Sequence, residues 1–123
     1  MAEHKSLKKI LIIEDDQSLA SAYRMKLSPY FATQNAVTGD EGLKYVHEWH
    51  PDLILLDLFL PGKSGQEVLK DLKKQVKTKH IPVLVLTNLE GQCEQMLEAG
   101  AVECMIKTEM SMDEILKKIR NFL

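Results

Sequence analysis

Residues 53–65 read Leu-Ile-Leu-Leu-Asp-Leu-Phe-Leu-Pro-Gly-Lys-Ser-Gly. The apolar run 53–56 stops at a carboxylate, Asp57; a Pro-Gly loop follows, and Ser64 or Gly65 opens an amphipathic stretch. A short apolar run without alternation reads as a strand buried on both faces, the habit of parallel sheets. On either side, residues 10–13 and 83–86 repeat the pattern. Residues 31–37 are more mixed and read as an edge strand, and a weak fifth run lies at 104–106. The intervals carry helical spacing: Leu19, Ala22, Tyr23 and Leu27; Leu43 and Val46; Val68, Leu69 and Leu72; Cys93, Met96 and Leu97; Ile115, Leu116, Ile119 and Phe122.

Strand and helix in alternation imply a parallel sheet covered on both faces. The predicted fold is α/β: a doubly wound, flavodoxin-like domain with a five-stranded parallel sheet in the order 2-1-3-4-5. Helix-end chemistry agrees. Gly100 follows the last turn of the fourth helix, and Ser111 with Glu114 forms a capping-box pattern for the fifth.

With 123 residues, 45% hydrophobic and 28% charged, residues 1–123 are expected to form one domain with one core. A net charge of −2 and a pI near 6.1 supply no general attraction to nucleic acid or anionic lipid, so direct binding of either is not expected. No apolar run is long enough for a membrane span. Cys93 and Cys104 lack zinc spacing and read as reduced thiols, which places the chain in the cytoplasm.

The polar residues that end the runs carry the chemistry. Glu14 and Asp15 end the first, Asp57 the third, Thr87 the fourth and Lys107 the fifth. In an open parallel sheet these ends share one edge, and ligands bind where the winding reverses, here between the first and third strands. Carboxylates about 4 Å apart repel by about 4 kcal/mol at an effective dielectric near 20. A hard cation offsets that, and Mg²⁺ suits one or two carboxylates, a carbonyl and waters. Lys107 would keep Asp57 ionised, and such a carboxylate is a nucleophile toward phosphorus. Thr87 could donate to a transferring oxygen.

These residues resemble the receiver domains of bacterial response regulators of two-component systems. The resemblance runs through ILIIEDD at 10–16, HPDLILLDLFLPGKSG at 50–65, IPVLVLTN at 81–88 and EAGAVECMIKT at 98–108. It implies a CheY-like domain in which Asp57 takes a phosphoryl group from a phosphohistidine of a sensor histidine kinase or histidine phosphotransfer protein. It further implies Mg²⁺ held by Asp15, by Asp57, by Glu14 through water and by the backbone carbonyl of Phe59. Thr87 matches the switch hydroxyl and Lys107 the phosphate-contacting lysine; Pro61, Gly62 and Gly65 shape the loop after Asp57, and Asp16 starts a helix. The family would not turn over a separate substrate; its catalysis is phosphorylation and dephosphorylation of its own aspartate. Many relatives form homodimer or downstream-target contacts through the fourth helix, fifth strand and fifth helix. Met96, Met105, Met110 and Met112 would serve either that face or the core.

The chain departs from the family at Thr108, where proline with a cis peptide is usual, so either a trans bond with a rearranged loop or strain is expected. Cys104 replaces the usual aromatic switch residue, and Asn88 a small residue. Phe59 and Leu89, apolar at the positions flanking an acyl phosphate in this family, cannot orient water, so slow loss of the phosphoryl group is expected.

The alternative reading is a pseudo-receiver that binds partners without phosphorylation. A phosphatase of the haloacid dehalogenase type would need a second acid where Phe59 stands, and a flavin or nucleotide site a first turn unlike EDDQS. His47 and His50 flank Trp49 at a helix end and read as surface or partly packed residues.

Overall fold

Strands and helices alternate through the computed structural model, which describes residues 7–88 and 90–123. In chain order they are β1 Lys9–Ile13, α1 Gln17–Leu27, β2 Ala32–Ala36, α2 Gly39–Trp49, β3 Leu53–Asp57, α3 Gly65–Lys74, β4 Val83–Thr87, α4 Cys93–Glu98, β5 Glu103–Ile106 and α5 Met112–Asn121. Single 3₁₀ turns occupy Glu90–Gln92 and Lys107–Glu109. All strands are parallel, in the order β2-β1-β3-β4-β5. The expected sheet and its strand order are therefore both observed. Leu89, on which part of the slow-decay expectation rests, lies outside the described residues.

Successive strand residues point to opposite faces, and this alternation builds two cores. Leu11, Ile13, Ile54, Leu56, Val83 and Val85 pack with Val46 of α2, Val68, Leu69 and Leu72 of α3 and Met96 of α4. Ile10, Ile12, Leu53, Leu55, Leu84, Leu86 and Met105 pack with Tyr23 and Leu27 of α1 and with Ile115, Leu116 and Ile119 of α5. β3 and β4 are buried at every position, as their unbroken apolar runs require, whereas only Ala36 of edge strand β2 is fully buried. Met96 and Met105 belong to the core, and Met110 and Met112 pack partly against it. Trp49 packs against the first core and lies under the Lys9 ammonium, 5.7 Å from its ring centre.

Four helices begin on side-chain caps: Asp16 for α1, Thr38 for α2, Ser64 for α3 and Ser111 for α5, the last two as full capping boxes. The start of α4 has no such cap. Gly62 has φ +74°, a conformation that side chains resist, and it turns the chain between β3 and α3. No cis peptide bond occurs among the described residues. The segment after Lys107 takes the trans alternative and continues as a 3₁₀ turn.

Two expectations are corrected: a sheet covered on both faces separates two cores where one was expected, and the cysteines are bonded. Cys93 and Cys104 are not free thiols; they form a disulfide between the first residue of α4 and the middle of β5. The chain reverses at Gly100, φ +112°, and returns as β5 beside α4, bringing the two Cα atoms to 5.4 Å, within bridging reach. A sequence separation of eleven residues does not by itself reveal that proximity. The thiol argument for a reducing compartment accordingly falls. No described helix is long and apolar enough to cross a membrane.

Candidate functional site

The C-terminal ends of β1, β3, β4 and β5 form one edge of the sheet. The register sets Ile13 opposite Leu56, Asp57 opposite Leu86 and Thr87 opposite Ile106, so the residues that close or follow these strands stand side by side. Glu14 continues from β1, and its N–H donates to the Ala36 carbonyl at 2.9 Å. Asn35 fixes the same strand end: its Nδ2 lies within 3.0 to 3.2 Å of the carbonyls of Ile12, Glu14 and Ala36.

Glu14, Asp15 and Asp57 each offer an oxygen within 4.8 Å of the others, the arrangement expected from the strand ends. Glu14 is 2% exposed and Asp57 6%, while Asp15 faces solvent. Lys107 reaches across from β5 to Glu14 Oε1 at 2.8 Å and to Asp57 Oδ1 at 3.0 Å. Thr108 thus leaves the lysine on the acids despite the absence of a cis bond. Thr87 is fully buried at the end of β4. Phe59, two residues beyond Asp57, is exposed and lines a shallow depression with Leu58, Ser64, Gln66 and Gln92.

Burial pushes the Glu14 carboxyl up from 4.5 to about 7; the hydrogen bond from Lys107 opposes the rise, and the charge on Asp57 adds to it. For Lys107 burial acts downward, but hydrogen bonds and charge from Glu14 and Asp57 outweigh it and hold the ammonium above its ordinary value. Tyr23, beneath the cluster in the second core, is pushed up by burial and then by the charges of Glu14, Asp57 and Asp16. Two carboxylates at this spacing repel by about 3 to 4 kcal/mol at an effective dielectric near 20, and one ammonium offsets only part of three acids. The site has the excess negative charge and the all-oxygen donor set that suit a hard divalent cation.

The loop that places Asp57 depends on close packing. The Gly65 N–H donates to the Leu58 carbonyl at 3.0 Å, and a Cβ on Gly65 would stand 2.2 Å from the Asp57 carbonyl oxygen. Only glycine lets α3 begin this close to β3.

Sequence reading located every acid but missed Asn35, Tyr23 and the Glu14–Lys107 pair. The first two lie inside segments that carry no motif, and the third depends on side-chain direction. His47 and His50 line a separate cavity with Asp52, Lys77 and His80, next to the start of β3 and away from the acids. Among the described residues only Glu14, Asp15 and Asp57 gather as a metal-ligating group.

Comparison with known proteins agrees with this geometry. Residues 10–120 match the family model described as the response regulator receiver domain. The polar-differentiation response regulator DivK of Brucella ovis is 34% identical over 120 residues, covering 94% of this chain and 96% of DivK. The BeF3-activated N-terminal receiver domain of Klebsiella pneumoniae RstA superimposes with a TM-score of 0.86 at 29% identity, over 94% of this chain and 97% of that one. A CheY-like receiver domain protein of Methanospirillum hungatei gives 0.85 at 27% identity, over 94% and 93%. With an acidic cluster at the strand ends, a lysine laid across it and a match over nearly its whole length, the chain belongs to the response regulator receiver domain family.

Proposed function

We propose that Asp57 accepts a phosphoryl group from a phosphohistidine of a sensor histidine kinase or histidine phosphotransfer protein, and that the adduct switches what the domain binds. The observation that carries this reading is the position of Asp57: a buried carboxylate within 4.8 Å of two further acids, with Lys107 on one of its oxygens. The Asp57 oxygen attacks phosphorus, the P–N bond to the donor imidazole breaks, and an acyl phosphate remains.

Glu14, Asp15, Asp57 and the Phe59 carbonyl would hold Mg²⁺, which when bound neutralises charge on the phosphoryl oxygens. Lys107 supplies a second positive charge already aimed at the nucleophile, and the Thr87 hydroxyl donates to a phosphoryl oxygen. The chemistry is confined to the domain's own aspartate; no separate substrate is turned over. A kinase phosphohistidine is made from ATP, so this reading places the domain in the cytoplasm. The BeF3-activated state of the similar RstA domain supports an Asp57 site that takes a phosphoryl-like group.

Acetyl phosphate with Mg²⁺, followed by intact mass, tests the proposal. One phosphoryl group is expected on the wild type, none on Asp57→Asn and little when EDTA removes the metal. A wild type that gains nothing would instead support a pseudo-receiver.

A further inference from the structure

The bond between Cys93 and Cys104 occupies a particular place. Cys93 opens α4, six residues after Thr87, and Cys104 lies three residues before Lys107. The bridge therefore ties together the two segments that leave the Asp57 site from β4 and lead into it along β5. Cys104 is also in register with Val85, so it sits beside the strand that ends in Thr87.

The helix tied down is the one least able to hold itself. α4 has six residues, too few to persist on backbone hydrogen bonds alone. Among the five described α-helices it is the one whose start lacks a side-chain cap; the 3₁₀ turn Glu90–Gln92 runs directly into it, and the disulfide stands at its first residue. Met96 is its buried anchor; Glu94, Gln95, Leu97 and Glu98 are exposed. Both cysteines are only partly buried. The two cores are built from other residues, with Cys104 packed at the margin of one.

We propose that Cys93 and Cys104 are a redox modification site, a latch closed by oxidation and opened by thiol reductants, that sets how fast Asp57 is phosphorylated. The inference rests on the reading of Asp57 as phosphoacceptor and adds a control to it. In the cytoplasm that reading requires, disulfides are mostly transient and redox-sensing rather than permanent. Opening proceeds by thiolate attack on one sulfur, a mixed disulfide, and displacement by a second thiol. Two electrons and two protons pass to the cysteines, and the reductant leaves as its disulfide; oxidised glutathione reverses the exchange. The closed latch fixes α4 against β5 and so holds Thr87 and Lys107 in place around Asp57, whereas the open latch frees the start of α4. Prearranged groups act without reorganising at the moment of transfer, so the oxidised form accepts the phosphoryl group faster.

The test uses the full chain equilibrated across mixtures of reduced and oxidised glutathione. Alkylation and intact mass should show both thiols appearing together in one two-electron step. Hydrogen exchange over residues 91–102 should be several-fold faster in the reduced form. Acetyl phosphate with Mg²⁺ should phosphorylate the oxidised form several-fold faster than the reduced form. Cys93→Ser/Cys104→Ser should match the reduced form and ignore glutathione. Thiols that never pair, a bond that glutathione never opens, or equal or reversed phosphorylation rates would overturn the latch. Equal rates leave the Asp57 reading intact. An absence of adduct in both redox states overturns that reading and the latch with it.

Discussion

Glu14 combines burial, a raised pKa and an ion pair. Its carboxyl is raised from 4.5 to about 7 in the folded chain, chiefly by burial, so the folded state holds a proton that the unfolded state has released. Stability of the metal-free protein should therefore fall as pH rises from about 4.5 to about 7, by about 3 kcal/mol. Urea denaturation in EDTA across that range should show the loss, and Glu14→Gln should flatten it; a wild-type profile that rises with pH would oppose the assignment. Mg²⁺ should restore the lost stability most fully above about pH 7, because the ionised carboxylate is the form a cation binds. A second expectation concerns Phe59, whose exposed ring offers no hydrogen bond to water. The acyl phosphate should persist, and Phe59→Asn should shorten its lifetime several-fold when phosphate release is followed after the donor is removed. The acids were legible in the sequence because each directly ends an apolar run, which fixes its place at the sheet edge. The contact of Lys107 with Glu14 as well as Asp57 was not legible, because it depends on where a long side chain turns after β5.

Among the elements, β1, β3 and β4 were readable within a residue because each holds four consecutive apolar residues buried on both faces, with a polar residue only at one end. β2 was legible only as a mixed segment, since four of its five residues are part-exposed and constrain the sequence less. The starts of α3 and α5 followed from Ser64 and Ser111, whose side chains accept from the third residue of each helix. α4 carries no such signal at its start, and the disulfide that secures it joins residues whose separation says nothing of distance. The junction of β3 and α3 permits a direct test. Gly65→Ala would drive a methyl group into the Asp57 carbonyl, so the loop must shift. A loss of about 1 to 3 kcal/mol in chemical denaturation is expected, together with slower phosphorylation at a saturating donor concentration. Unchanged stability and rate would show that the close approach has no part in placing Asp57.

For the molecule as a whole, one sheet with two cores does two things at once. The apolar alternation that buries α1 and α5 on one face and α2, α3 and α4 on the other leaves the strand ends as the place where polar side chains can gather. That much followed from the periodicity of the sequence, and the family resemblance assigned roles to the residues gathered there. The state of the cysteines did not follow, because it is a property of the folded arrangement of α4 and β5. The proposed acceptor is a single carboxylate, that of Asp57. Borohydride reduces an acyl phosphate of aspartate to homoserine, so treating the phosphorylated chain with borohydride and sequencing its peptides by mass locates the bond directly. Homoserine at position 57 and at no other aspartate is the predicted result; homoserine elsewhere, or an intact Asp57 in a chain that had gained a phosphoryl group, would contradict it.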